Sequence, residues 1–180
     1  SRSCAALCHA EGVAAGQVVD VEGAMRGEPV RAEVGPFALR FIPSVHSAFM
    51  LGRVPFPGEI SDCDQLPLRT EQYRCGAVFG VELRVAGKTL YHLGSADLLD
   101  ARAPRDVDLL MMCVAGWTTT HRFTDRVMRA FTPRAIVLSH WDNFLSPMSA
   151  GAKMLPAMQL PRLVDGLTRV DPSVRLGALP

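Results

Sequence analysis

The sequence predicts an α/β (α+β) fold in which short strands and helices alternate along the chain. Three observations indicate this class: apolar runs rich in β-branched residues, amphipathic segments between them, and 15 glycines and 13 prolines that divide the chain into short elements. The length of 180 residues, with 48% hydrophobic and 21% charged residues, is typical of one globular domain. We therefore expect residues 1–180 to form a single domain.

The first quarter of the chain predicts one helix and three strands. The helix is expected over residues 3–11, where Gly12 ends it. A first strand is expected over 17–21, which is rich in valine. Two further strands are expected over 30–34 and 37–43, and the Gly-Pro pair between them favours a turn, so a hairpin is predicted here.

The middle of the chain predicts a long irregular excursion followed by a hairpin. Residues 50–75 contain prolines and show little periodicity, and loops of this length in a compact domain are usually functional. Segments 77–85 and 88–93 alternate as strands do and are joined by Ala86-Gly87, which predicts a tight turn.

The second half predicts strands and helices in alternation. Residues 106–114 are almost wholly apolar, as expected of a strand that is buried on both faces. Residues 124–131 predict an amphipathic helix, 134–139 a second buried strand and 160–169 a further helix. A short edge strand is expected over 174–176.

Composition excludes several classes of protein. With 19 basic and 18 acidic residues, the net charge is +1, so no long-range field attracts nucleic acid or anionic lipid. Every apolar run is shorter than the ~20 residues that span a bilayer, so no membrane insertion is expected. The start of the chain shows no secretory signal, and five cysteines at irregular spacing favour a reducing compartment. These features predict a cytoplasmic protein.

Polar side chains follow three of the predicted strands. His46 and His140 each come shortly after an apolar strand, and Asp97 follows a third one in the same way. The end of a strand holds a side chain on a rigid element at the mouth of a sheet. Two imidazoles and a carboxylate are ligands suited to zinc. Either histidine alone could equally be structural, and the repeated placement is what favours a metal site.

The order of four segments resembles a known family. The segments are residues 41–47 (FIPSVHS), 90–97 (LYHLGSAD), 107–110 (VDLL) and 137–144 (VLSHWDNF). Across about 37–144 they resemble the C-terminal half of the metallo-β-lactamase superfamily, and especially its lactonase-like and N-acylphosphatidylethanolamine phospholipase-like hydrolases. The resemblance implies an αββα sandwich, with one or two metal ions held by loops at one edge of two packed sheets.

The resemblance also implies roles for individual residues. His46 is similar to the family's third histidine, which binds the first metal, and His140 to its last histidine, which binds the second. In the family pattern an aspartate that bridges the metals directly follows a glycine, but here Ser95 follows Gly94. Either Asp97 reaches the metals through a shifted loop, or Ser95 takes the place of the bridge. We favour Asp97.

Two other polar residues are secondary candidates. His92 could support a metal ligand or be an exposed strand histidine. Asp142 could orient an imidazole or bind substrate, or it could form a turn. The family's His-x-His-x-Asp-His run is missing before His46. We therefore expect the chain to be the C-terminal portion of such a domain, truncated at its N-terminus.

The sequence thus predicts a zinc-dependent hydrolase with one or two metal ions, zinc or another divalent metal. It would use metal-activated water to cleave an ester, lactone, amide or phosphodiester in a small-molecule substrate. The alternative is an inactive remnant that serves as a structural or interaction module. A nuclease of the same superfamily is disfavoured by the near-zero net charge. Half of a sandwich would leave apolar faces uncovered, for example around 109–112, which predicts an exposed patch or a homo-oligomer.

Overall fold

One seven-stranded mixed sheet organises the computed structural model, which describes residues 1–24, 28–60, 63, 66–143 and 146–178. The strands lie side by side in chain order: β1 (Val30–Val34), β2 (Phe37–Pro43), β3 (Phe79–Val85), β4 (Lys88–His92), β5 (Leu109–Cys113), β6 (Ala135–Ser139) and β7 (Arg175–Ala178). Neighbours from β1 to β4 are antiparallel, and neighbours from β4 to β7 are parallel. Parallel neighbours need crossover connections, which helices supply here.

The described helices are α1 (Arg2–Ala10), α2 (Val21–Ala24), α3 (Phe123–Phe131) and α4 (Leu160–Val170). Helix α1 begins where the Ser1 hydroxyl accepts a hydrogen bond from the Cys4 N–H group. Helices α3 and α4 are the crossovers after β5 and β6. None of the described helices is long and apolar enough to span a bilayer.

The predicted α/β fold class is confirmed, and so are both predicted hairpins, which form β1–β2 and β3–β4. The strand predicted over 17–21 is wrong, because the chain forms a 3-10 helix at Ala15–Gln17 and then α2. Val19 is 70% exposed, with no strand beside it. Its β-branched side chain therefore has no pleated surface to pack on, and strand propensity depends on such packing.

One face of the sheet carries the core. Tyr91, Leu110 and Ile136 are paired across β4, β5 and β6 and are almost fully buried. Phe131 of α3 packs on Tyr91 with ring centroids 4.6 Å apart, and Leu163 of α4 is buried in the same core cluster. Helices α3 and α4 therefore cover this face.

The opposite face is apolar and partly open. Because side chains alternate along a strand, Val81, His92, Met111 and Val137 form a row on the other side of β3 to β6. His92 is exposed and the other three are half-buried, and none of them belongs to the buried core. The described residues contain one sheet, and a second sheet of the αββα sandwich is not among them. That the chain is the C-terminal portion of a larger domain stays a prediction.

The accessible surface of the whole chain is larger than that of a compact monomer. The chain exposes 10941 Å². A compact monomer of 19.5 kDa would expose about 8,500 Å² according to the usual relation between area and mass. The excess is roughly 2,400 Å², more than the ~800 Å² that one partner buries in a standard interface.

Candidate functional site

The candidate site lies at one edge of the sheet. Strands β2, β4, β5 and β6 run in the same direction, because β2 and β4 are both antiparallel to β3, and β4, β5 and β6 are parallel to one another. Their carboxyl ends therefore meet at a single edge. The segments that carry His46, Asp97 and His140 all leave the sheet there. Ligand sites in such sheets form outside the carboxyl ends of strands.

The segment after β2 runs along this edge across the ends of several strands. The Ser44 N–H group donates to the Val78 carbonyl over 2.9 Å, and the Ser47 N–H group donates to Ser95 Oγ over 3.1 Å. A Cβ atom on Gly116, which follows β5, would lie only 2.6 Å from Ser47 Oγ. The segment thus passes the end of β4 and reaches the end of β5, which carries His46 towards β6.

The ring of His46 has a defined hydrogen-bond partner. Its Nδ1 atom lies 2.8 Å from the Ser47 carbonyl oxygen. A carbonyl only accepts, so Nδ1 carries the proton and donates it, which leaves the lone pair of the neutral ring on Nε2. The ring also packs near Phe49, with centroids 6.0 Å apart. His46 therefore presents a nitrogen that can bind a metal or accept a proton.

His140 lies directly after β6, in a left-handed backbone conformation with φ of 57°. Such conformations are uncommon outside glycine and concentrate at functional sites. The pKa of His140 is lowered chiefly because surrounding protein atoms desolvate the ring. The Asp142 carboxylate raises this pKa and the nearby His46 imidazole lowers it further. His46 and His140 are therefore close enough for their charges to interact.

Gly94 and Ser95 hold the His46 segment in place. A Cβ atom on Gly94 would clash with the backbone carbonyl of Phe79, so only glycine permits this close approach. Ser95 is buried, and its hydroxyl accepts the Ser47 hydrogen bond described above. The Gly-Ser pair of the LYHLGSAD segment thus clamps the loop that carries His46.

The carboxylate of Asp97 is hydrogen-bonded to Leu98 and Arg126. Its Oδ1 atom accepts from the Leu98 N–H group over 2.8 Å and from Arg126 Nη1 of α3 over 3.0 Å. Among the described residues, no group of three or more His, Cys, Asp or Glu side chains is arranged to hold a metal. His46, Asp97 and His140 therefore do not form one cluster. A metal-bridging role would require Asp97 to leave Arg126 and stays a prediction.

The two secondary candidates lie in different places. His92 is exposed on the open face of β4, in register with Val81 and Met111. Asp142 lies at the site edge, where it pairs with Met154 in an antiparallel bridge and acts electrostatically on His140. Phe144, the last residue of the segment VLSHWDNF, lies outside the described residues.

Two buried hydroxyls adjoin the histidines in the sequence. Ser47 Oγ and Ser139 Oγ have no hydrogen-bond partner in the described part of the chain. Ser47 follows His46, and Ser139 precedes His140. Unsatisfied buried hydroxyls are costly, and an ion, a water molecule or a ligand is the usual explanation. These two hydroxyls could not be predicted as part of the site, because serine at a strand end is common.

Two cavities of about 410 and 700 Å³ adjoin His46. They share His46, Cys75, Ala77, Val78 and Phe79 as lining residues. Burial raises the pKa of the Cys75 thiol, so the thiol stays protonated near neutral pH. Part of the predicted excursion lines the smaller cavity through Phe56 and Tyr73. The walls of the larger cavity are mainly apolar, as is usual for pockets that hold small molecules.

The described residues fit a divalent metal only in part. The imidazoles of His46 and His140 are two suitable nitrogen donors. Catalytic zinc is normally held by three protein ligands, and a third is missing from the described part of the chain. The donor set is therefore incomplete, and we assign no catalytic step to a metal.

Several solved structures are similar to this chain, and two of them are metallo-β-lactamase proteins. No protein-family profile and no curated protein sequence matches the chain. The metallo-β-lactamase fold protein YhfI from Bacillus subtilis aligns with 83% of this chain and 50% of its own, at 12% identity and a TM-score of 0.47. A Thermotoga maritima protein, described as a zinc-dependent hydrolase of the metallo-β-lactamase superfamily, aligns with 84% of this chain and 70% of its own, at 13% identity and a TM-score of 0.42. The chain spans half the length of YhfI, and TM-scores below 0.5 do not by themselves establish a common fold.

Proposed function

We propose that this chain belongs to a hydrolase of the metallo-β-lactamase superfamily, with its site at the carboxyl edge of the sheet. One observation carries the proposal: His46 and His140, which follow strands four positions apart in the sheet, interact electrostatically at the carboxyl edge. Both occupy motif positions at which the resemblance expects metal ligands. The adjoining cavities have room for a small-molecule substrate.

The chain's own residues would prepare two nitrogen lone pairs for this chemistry. The Ser47 carbonyl fixes the His46 tautomer so that Nε2 is available. The lowered pKa of His140 keeps that ring neutral at pH 7, and a neutral imidazole is required both for metal binding and for proton acceptance. The apolar cavity walls would exclude water from the body of an ester, lactone, amide or phosphodiester.

Zinc dependence is part of the proposal. Zinc, or another divalent metal, would supply Lewis-acid activation of water when bound. The two imidazoles would supply part of the ligand set, and the remaining ligands would come from outside the described residues. A cytoplasmic location is also proposed, on the basis of the irregular cysteine spacing.

A non-catalytic module is the second candidate function. It is favoured by the ion pair between Asp97 and Arg126, which occupies the carboxylate expected to bridge the metals. In this case the two histidines would be a remnant, and the chain would act as a structural or interaction module.

An assay for hydrolysis of chromogenic esters, lactones, amides and phosphodiesters in the presence of zinc distinguishes the hydrolase from the non-catalytic module. We expect one substrate class to be cleaved, and His46→Ala and His140→Ala each to lower kcat/KM at least about 100-fold, as loss of a positioned imidazole does. His9→Ala, on α1, is the matched control and should keep full activity. Equal activity in all three variants would overturn the hydrolase site, and no cleavage of any substrate would favour the module.

A further inference from the structure

A second groove, separate from the cavities beside His46, lies between α3 and the segment that follows β4. Its volume is about 630 Å³, within the range of small-molecule sites. Four arginines line it, namely Arg105, Arg122, Arg126 and Arg129, together with His121. None of its lining residues lines the cavities beside His46.

Three of these arginines belong to α3 or adjoin it. Arg126 and Arg129 are three residues apart on one face of the helix, and Arg122 is the residue directly before the helix begins. The opposite face carries Phe123 and Val127, which are buried in the core. The three guanidinium groups therefore form a stripe along one wall of the groove, and Arg105 belongs to the segment that forms the other wall.

The charges in the groove are only partly compensated. Arg126 is saturated, because it donates to Asp97, to the Leu98 carbonyl and to both carboxylate oxygens of Asp100. Arg122 pairs with Asp125 over 3.1 Å.

Arg105 and Arg129 are exposed, and neither has an ion-pair partner in the described part of the chain. The lining holds four arginines and two aspartates, and Asp97, which also pairs with Arg126, is a third carboxylate beside it, which leaves one positive charge in excess. The whole chain has a net charge of only +1, so this groove is a local concentration of positive charge.

Arg122 and Arg126 are paired within the fold, whereas Arg105 and Arg129 make no ion pair in the described part of the chain. A phosphate group can contact both of these unpaired guanidinium groups. Phosphate groups carry about −1.5 to −2 at neutral pH, and the planar guanidinium fork matches their oxygens in a bidentate manner.

We propose that the groove binds a small phosphate-bearing molecule, held by Arg105 and Arg129. Arg126 is the positioning residue, because its bonds to Asp97 and Asp100 fix α3 against the segment after β4. A carboxylate has fewer oxygens and a smaller charge than a phosphate, so it contacts the two guanidinium groups less fully. The site is independent of the hydrolase proposal, because it uses none of the residues beside His46.

Calorimetric titration at constant ionic strength, with inorganic phosphate, phenyl phosphate and acetate as probes, tests the proposal. We expect phosphate or phenyl phosphate to bind and acetate to bind at least tenfold more weakly. Tighter binding of phenyl phosphate identifies a phosphate ester as the ligand, and binding of inorganic phosphate alone identifies the free ion. Both results support the site.

Arg105→Ala/Arg129→Ala should raise the dissociation constant for the bound phosphate probe at least tenfold. Arg169→Ala, an exposed arginine in the last turn of α4, is the matched control and should bind as the natural chain does. All three substituted positions are exposed, so thermal melting should confirm intact folding. Unchanged binding in the double variant, equal binding of acetate, or stronger binding of a single-stranded oligonucleotide than of phenyl phosphate would overturn the proposal.

Discussion

Replacement of either His46 or His140 by alanine is expected to weaken zinc binding at least about tenfold, since even the loss of a residue that only supports a metal ligand weakens binding 10–100-fold. The two imidazole nitrogens lie at the same sheet edge, and removal of one leaves a single donor there. Calorimetric titration with zinc at pH 7.5 measures the effect. The lowered pKa of His140 keeps proton competition small at that ring.

The zinc titration requires a chain in which the competing zinc-binding thiols on α1 have been removed. Cys4 and Cys8 are free thiols one helical turn apart, and thiolates bind zinc strongly. The titration therefore uses a chain that carries Cys4→Ser and Cys8→Ser. His9→Ala in this background is the matched control and should leave the affinity unchanged. Equal affinity in His46→Ala, His140→Ala and the control would rule out a metal site at the sheet edge.

Met111→Lys is expected to convert a self-associated chain into a monomer. Met111 lies at the centre of the open sheet face, in register with His92 and Val137. Apart from His92, the side chains of this row are apolar. The same face of a second copy could therefore pack against it without burying other charged groups. We therefore propose that a second copy covers this face in solution.

Sedimentation velocity of the natural chain and of its variants measures this association. We expect a dimer for the natural chain and a monomer for Met111→Lys, because a buried ammonium group opposes the packing of two apolar sheets. Met154→Lys is the matched control, since Met154 is 55% exposed and lies beside Asp142, away from this face. A natural chain that is monomeric would contradict the dimer, and binding of a hydrophobic dye by that monomer would indicate a different polypeptide as the occupant.

The strands could be predicted wherever a turn or an apolar run marks them. Ala86-Gly87 identifies the β3–β4 hairpin, and the apolar run 106–114 contains β5. The error at 17–21 arises because valine content indicates a strand only where a neighbouring strand is present, and a single sequence does not show the neighbour.

The candidate site could be predicted only in part, because its geometry depends on topology. His46 and His140 are recognisable as residues that follow strands, but their proximity requires that β2 and β6 point the same way and that the segment after β2 crosses the ends of β4 and β5. The partner of Asp97 could not be foreseen. Arg126 is 29 residues away in sequence and meets Asp97 only because α3 begins at the same edge.

The proximity of His46 and His140 is the central claim, and NMR titration of the His140 ring tests it most directly. We expect a pKa below the usual 6.5 in the natural chain, a higher pKa in His46→Ala because a like charge is removed, and a lower one in Asp142→Asn because an opposite charge is removed. The His92 ring, whose pKa is lowered by desolvation alone, should titrate alike in all three chains. A His140 titration that is unaffected by His46→Ala would show that the two rings are apart and would contradict the site.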